Sequence, residues 1–323
     1  MKKQLLAVLM MGTMLVPATA QADELVNMKS NVQTEEKTGK VEWVKEGDKW
    51  YYYDYHGRRM VDWLSLNNKW YYLGSDGAMR TDWVNVRGSW YYMNADGVMQ
   101  TGWLQHGGTW YYMNENGAMA TGWVKYGEDW YYMNRDGSMK TGWLQDGGKW
   151  YYLHPSGKME KYWLDLNGKS YIFDNGVMQI GAYEDGYYYY LFGKDGAKIT
   201  TTGWVEQDGN WYYLKDGGKL HVGELKYGGA TYFLNPEMAT GWVLYNEELN
   251  WWNYYEADGK AKTGWLQYGG AWYYLVDGEM QTGWLQKDND WYYFQSNGKM
   301  VTGEHFIDGT WYAFYDNGVL IGG

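Results

Sequence analysis

Residues Thr101–Ala120 read TGWLQHGGTWYYMNENGAMA, and this stretch decides the fold. Trp103-Leu104-Gln105 is a short extended run, His106-Gly107-Gly108 is a turn, and Trp110-Tyr111-Tyr112-Met113 is a second run of strand formers. Asn114-Glu115-Asn116-Gly117 is another turn signal, with glycine where a positive φ is expected. The unit is therefore a β-hairpin followed by a connecting loop. One hairpin buries too little surface to stand alone in water, so such units must stack. Strand alternation sends Trp110 and Tyr112 to one face and Tyr111 and Met113 to the other. One set can be structural and the other ligand-facing, and every unit must make the same choice.

The plan recurs on both sides of this stretch. A lead tryptophan stands every 20 residues at 43, 63, 83, 103, 123, 143 and 163. A second tryptophan follows seven residues later at Trp50, Trp70, Trp90, Trp110, Trp130 and Trp150, each heading a Trp-Tyr-Tyr triplet. Fixed-period self-similarity predicts an all-β architecture, a β-solenoid of stacked hairpins. After Trp163 the pattern loosens: Ser170 takes the second-Trp slot, Ala182 the next lead slot, and Thr200-Thr201-Thr202 are extra. Trp204 with Trp211 restores one unit, Glu224 and Thr231 degrade the next, and Asn246-Glu247-Glu248 lengthen the loop after Trp242. Trp265 with Trp272 and Trp284 with Trp291 are regular again, and Glu304 leads the last unit. The predicted organisation is regular repeats over 43–163, degenerate repeats over 164–264 and C-terminal repeats over 265–323.

Residues 1–22 read as a secretory signal: Lys2 and Lys3, an apolar stretch from Leu5 to Val16, and the small-residue site Ala20-Gln21-Ala22. Residues 23–42 are polar and without aromatics, which predicts a short flexible leader. The apolar run is shorter than a transmembrane helix needs, so the expectation is a secreted chain with no membrane span. Loss of Lys2 and Lys3 takes the formal charge from −11 to −13, which disfavours nucleic acid and anionic membrane and suits a cationic ligand. Cysteine is absent, so disulfides, a lipobox and thiol chemistry are excluded.

Aromatics make up 20% of the residues, with 36 Tyr and 23 Trp against 6 Phe. Such an excess of rings with polar handles points to partly exposed, ligand-facing surfaces. Catalysis finds no foothold. Most Asp and Glu fall in turns such as Ser75-Asp76-Gly77 and Arg135-Asp136-Gly137, which is ordinary turn chemistry. His56, His106, His154, His221 and His305 occupy unrelated slots, so neither a metal site nor a cofactor site is expected. Glu247 and Glu248 are the one unusual carboxylate pair.

Units such as TGWVKYGEDWYYMNRDGSMK and TGWLQYGGAWYYLVDGEMQ resemble the choline-binding, or cell-wall-binding, repeats of Gram-positive surface proteins. The resemblance covers 43–323. It implies a left-handed superhelix of hairpins in which the choline of teichoic or lipoteichoic acid lies between successive repeats, its quaternary ammonium enclosed by rings. By the rule it implies, the lead and second Trp of one repeat join a Tyr of the next. Applied here, that rule gives Trp43, Trp50 and Tyr72; Trp63, Trp70 and Tyr92; Trp83, Trp90 and Tyr112; Trp103, Trp110 and Tyr132; Trp123, Trp130 and Tyr152; and Trp265, Trp272 and Tyr293. Trp242, Trp252 and Tyr274 form a further set on the lengthened loop. The rule drops the units led by Ala182, Glu224 and Glu304. It also disfavours Trp143 with Trp150 and Trp284 with Trp291, because Ile172 and Ala313 stand where the Tyr belongs.

Trimethylammonium donates no ordinary hydrogen bond, so its site must enclose methyl groups and present negative ring faces. At ~0.5–2 kcal/mol per ring, three rings make a weak site, and repetition along a choline-bearing polymer raises affinity through effective concentration. The resemblance therefore implies a non-catalytic protein on the cell-wall surface, a modulator of autolysins or an adhesin, with another surface protein or a host molecule as a further partner. The alternative is an α-glucan-binding repeat protein, against which stand the regular second Trp and the Met slot at Met79, Met99, Met119, Met139 and Met159.

Overall fold

The computed structural model describes residues 40–322; the signal at 1–22 and nearly all of the leader lie outside them. Among the described residues the chain forms fourteen antiparallel hairpins and one 3-10 turn, Asp216–Gly218. It divides into two compact units, one ending at Ala120 and the other beginning at Thr121. That division falls inside the stretch of regular repeats.

The regular hairpins share one register. Gly102–His106 pairs with Thr109–Met113, so that Trp103 opposes Tyr112 and Gln105 opposes Trp110. Directly opposed residues project from the same face of a sheet. The lead Trp, the second Trp and the second Tyr of each triplet therefore share one face; the first Tyr and the Met or Leu after the triplet share the other. The turns between strands carry paired positive φ values, as at Asn67 and Asn68 (51° and 61°) and at Gly107 and Gly108 (57° and 78°). A two-residue turn that matches the twist of its strands requires these values, which is why Asn and Gly occupy it.

The connecting loops are built by side chains that imitate backbone. Asn94 Oδ1 accepts from the amides of Asp96 and Val98, at 3.0 and 2.9 Å. Asp54, Asp76, Asp136, Asp195 and Asp258 accept amide hydrogen bonds in the same way. After the loop the chain bridges back to its own hairpin (Met113 with Met119) and reaches the preceding one, where the Met119 amide donates to the Trp90 carbonyl at 2.7 Å. The equivalent bond recurs from Met79 to Trp50, Met99 to Trp70, Met159 to Trp130 and Met300 to Trp272. These backbone bonds stitch successive units together at a fixed offset.

In each compact unit the core is built from the same slot. Leu73, Met93, Met113, Met133 and Leu153 are fully buried, each ending its Trp-Tyr-Tyr run. Around the loops each Met packs on the glycine of the next repeat: a Cβ on Gly117 would meet Met99 Sδ at 2.2 Å. Gly117 also holds φ at +81°. Gly117→Ala should therefore combine backbone strain with overpacking. By contrast Gly57, at +75°, has open space where a Cβ would go. The expected outcome is that Gly117→Ala costs about 1–3 kcal/mol more than Gly57→Ala. Equal melting temperatures for the two variants would refute the packing role of the Met slot.

The first described hairpin treats its outer face differently. Over Tyr51 lies the Arg59 guanidinium, 4.1 Å from the ring centroid, bonded to Tyr53 Oη at 2.8 Å and paired with Glu46. Among the described residues no earlier hairpin offers a tryptophan to Tyr51, and Arg59 caps that ring instead.

The irregular part forms two larger sheets. One has the order Gly181–Glu184, Tyr189–Phe192, Lys219–Leu220, Asn210–Lys215, Gly203–Gln207. The other runs Gly241–Asn246, Trp251–Tyr255, Glu279–Met280, Ala271–Val276, Gly264–Tyr268. In each, a two-residue strand bridges two hairpins. In the lengthened hairpin the register shifts between Leu244 and Asn246, which keeps Trp252 opposite Leu244 in the second-Trp position and leaves Trp251 opposite Asn246.

Candidate functional site

Within each compact unit, the ring face of a hairpin meets the opposite face of the next. In the second unit, Trp123 lies 5.2 Å from Tyr132 of its own hairpin and 4.8 Å from Tyr151 of the following one, centroid to centroid. Trp130 completes the corner at 6.4 Å and 85° to Trp123. The arrangement recurs at Trp63, with Trp70 at 6.3 Å, Tyr72 at 5.2 Å and Tyr91 at 4.7 Å. It recurs again at Trp265, with Trp272, Tyr274 and Tyr292 at 6.3, 5.1 and 4.9 Å. Edge-to-face geometry suits the ring quadrupoles and leaves two indole faces at near right angles. The second tryptophans stay open to solvent: Trp50, Trp70, Trp90, Trp110, Trp130, Trp150, Trp211, Trp272 and Trp291 are all exposed.

This geometry regroups the tyrosines named by the sequence rule. The ring that Trp43 meets in the next hairpin is Tyr71, at 5.1 Å, whereas Tyr72 belongs to the Trp63 corner. Likewise Tyr92 sits with Trp83, Tyr112 with Trp103, Tyr132 with Trp123, Tyr152 with Trp143, and Tyr293 with Trp284. Tyr274 sits with Trp265, while Trp242 meets Tyr254 and Tyr273. The reason is register: the second Tyr opposes its own lead Trp, so only the first Tyr faces the preceding hairpin.

The same shift restores corners that the rule disfavoured. Trp143 has Trp150 at 6.3 Å, Tyr152 at 5.2 Å and Tyr171 at 5.0 Å, and Ile172 lies outside it. Trp284 has Trp291 at 6.2 Å and Tyr312 at 4.8 Å, so Ala313 is not the relevant position. Trp204 is a complete corner absent from the rule, with Trp211, Tyr213 and Tyr232 at 6.4, 5.4 and 4.9 Å. The signal that identifies these sets is strand alternation combined with antiparallel opposition. Ala182, Glu224 and Glu304 oppose Leu191, Phe233 and Ala313, and these hairpins carry no lead tryptophan.

A further wall comes from the residue three beyond the next lead slot, on the face that packs backward. Tyr227 stands 6.2 Å from Trp204 and 5.6 Å from Tyr213. Tyr268 stands 6.1 Å from both Trp242 and Tyr254. His106 takes this place at Trp83, 6.1 Å away and 5.3 Å from Tyr92. At Trp143 the slot holds Leu166, part of a cluster with Leu164, Tyr171 and Phe173. At Trp123 it holds Asp146, whose Oδ2 accepts from the indole Nε1–H at 2.9 Å. Burial pushes the Tyr151 phenol upward beside it, and the Asp146 charge adds to that shift.

One corner is filled by the chain itself. At Trp163, where Ser170 replaces the second Trp, the Lys198 ammonium lies 5.5 Å from the indole centroid and 5.1 Å from that of Tyr190. Lys219 lies 3.4 Å over Tyr188. The ring faces of this fold thus attract cations.

Several loop carboxylates are held by amides and by lysine or arginine partners. Asp76 is held below the usual carboxylate range by the Ala78 amide, with Lys49 and Arg80 adding to it. Asp195 is lowered by its Lys169 partner and by the Ala197 amide. Among the described residues no group of three His, Cys, Asp or Glu side chains could hold a metal ion. Among them, too, no helix is long and apolar enough to cross a membrane.

Family models match the chain at both ends and between. The choline-binding repeat matches residues 80–121, 120–161 and 281–321. A cell wall binding repeat matches 41–57, 62–79, 202–220 and 263–278. The chain belongs to the choline-binding, cell-wall-binding repeat proteins. Solved structures similar to it include CbpJ from Streptococcus pneumoniae TIGR4, 27% identical, covering 87% of this chain and 100% of that one, TM-score 0.34. Choline binding protein F from Streptococcus pneumoniae, solved in the presence of a peptidoglycan analogue, is 28% identical over 88% of this chain and 100% of its own, TM-score 0.33. The modular autolysin LytC from Streptococcus pneumoniae is 24% identical over 80% of this chain and 52% of its own, TM-score 0.33. No curated protein sequence matches the chain.

Proposed function

We propose that this chain holds choline groups of cell-wall teichoic or lipoteichoic acid in the ring corners between its hairpins and performs no catalysis of its own. The observation that carries the reading is the repeated corner itself: a half-buried lead Trp, an exposed second Trp at near right angles, and a tyrosine of the next hairpin. Trp204, Trp211 and Tyr227 make the fullest example. Two perpendicular indole faces enclose a compact, nearly spherical cation, whereas a sugar ring stacks on a flat platform. The Lys198 ammonium on Trp163 and Tyr190 supports the same preference within the chain. Each corner supplies only a few kcal/mol, so firm attachment comes from several corners engaging one polymer. A protein held this way would compete with autolysins for choline or display its irregular sheets to a partner, as a modulator or an adhesin.

The test is retention on a resin bearing quaternary or tertiary amines. The full chain should stay bound through a sodium chloride wash and leave in free choline of equal ionic strength. Elution by salt and choline at the same ionic strength would mean simple anion exchange by an acidic protein, and the reading would fall.

A further inference from the structure

Most corners are closed by rings or aliphatic groups, but the corner at Trp123 is closed by a carboxylate. Asp146 ends the Gly142–Asp146 strand, and stacking brings it over the preceding hairpin, where Trp123 Nε1–H donates to Oδ2 at 2.9 Å. The side chain is half-buried, and among the described residues no lysine or arginine forms an ion pair with it. Lys149, directly opposite Asp146 in its hairpin, and Lys125, opposite Trp130 on the ring face, form no ion pair with it. A carboxylate offers about four acceptor positions, and the indole takes one. The remaining capacity belongs to an unneutralised charge at the edge of a two-indole corner.

That combination discriminates between cations. A trimethylammonium group has no N–H, so it gains ring faces and Coulomb attraction but cannot bond to the carboxylate. A protonated dimethylamine presents the same methyl surface plus one N⁺–H, which can make a charge-assisted hydrogen bond to Asp146. Ile307, in the same slot at Trp284, is apolar, and Gln286 stands opposite Trp291 there, so neither position carries a charge; at Trp204 the exposed Glu206 stands opposite Trp211.

Accordingly, we propose that Asp146 makes the Trp123–Trp130 corner a site for alkylammonium groups that carry an N–H, with protonated tertiary amines preferred over quaternary ones, whereas the Trp284–Trp291 corner has no such preference. The inference rests on the reading of the corners as cation sites. Its chemistry identifies Asp146 as a specificity-determining residue within the array.

The experiment follows the indole N–H resonances of the full chain during titration with choline and, separately, with N,N-dimethylethanolamine protonated at neutral pH. Trp123→Phe and Trp284→Phe assign the two signals. At Trp123 the dimethyl cation should reach half-saturation at about a tenfold lower concentration than choline, the worth of one charge-assisted hydrogen bond. At Trp284 the two midpoints should agree within about twofold, as expected where no such bond forms. Asp146→Asn should bring the Trp123 midpoints together. Asp146→Leu, which copies the residue found at Leu166, should do the same and guards against an effect peculiar to the amide. Equal midpoints at Trp123 in the unsubstituted chain, or a preference that survives both substitutions, would overturn the assignment. If neither cation moves any indole signal, the choline reading itself fails, and that outcome is distinct from a Trp284 response without selectivity at Trp123.

Discussion

Replacing Trp272 with alanine is expected to delete one choline from the binding count while leaving the melt almost unchanged; replacing Trp265 is expected to damage both. The two residues share one corner, 6.3 Å apart and at 87°, but their environments differ. Trp265 is wedged among Tyr274, Tyr292 and Phe294, with centroids 5.1, 4.9 and 5.9 Å away. Trp265 is half-buried, so removing it should cost a large part of the about 3–5 kcal/mol found for a fully buried aromatic. Trp272 is 41% exposed. Truncating a side chain so exposed falls within the ordinary range for surface substitutions, about 0.5 kcal/mol. Because each hairpin contacts only its neighbours, the Trp265→Ala defect should remain local to the hairpins around 264–294. Calorimetric titration with choline beside thermal melts separates the roles. A Trp272→Ala variant that binds the full number of cholines and melts far earlier would make the exposed tryptophan structural and dissolve the proposed corner.

The difference between these two tryptophans also shows what the amino-acid sequence could and could not convey. Hairpins and turns were legible because Asn67-Asn68 and Gly107-Gly108 demand a two-residue turn, and because the 20-residue period puts a turn signal in each unit. The lead and second tryptophans were legible for the same reason. The choice of tyrosine was not. Alternation separates Tyr111 from Tyr112, but only the register, with Trp103 opposite Tyr112, shows which of them faces backward. Asp146 was hidden more deeply. In sequence it is one turn carboxylate among many, and its place over Trp123 arises only when one hairpin stacks on another. The five-stranded sheets were equally unreadable, since Lys219–Leu220 and Glu279–Met280 are two-residue strands that pair with the strand just before them and also with one in the preceding hairpin. Local signals specify local elements, and the packing of repeat on repeat adds information that no single repeat contains.

Choline should raise the melting temperature progressively, without a sharp plateau, and far more than sodium chloride at the same ionic strength. A ligand that binds only the folded chain stabilises it by RT ln(1 + [L]/Kd), about 1.4 kcal/mol per site at ten times Kd. Corners such as Trp63, Trp204, Trp265 and Trp284 each join a ring face to the next hairpin, so an occupied corner resists separation of two repeats. Several occupied corners within one cooperative block therefore add, even though each alone is weak. Weakness sets the concentration scale: three rings at ~0.5–2 kcal/mol each place the midpoint in the millimolar range. The Trp163 corner should not contribute, because Lys198 already lies on its faces. The measurement is a series of calorimetric melts in increasing choline against matched salt. Identical curves in both would show that the aromatic corners are packing alone. A rise that saturates at micromolar choline would instead point to one tight site in place of a row of weak ones, and attachment by many cheap contacts would no longer explain why the repeat is written so many times.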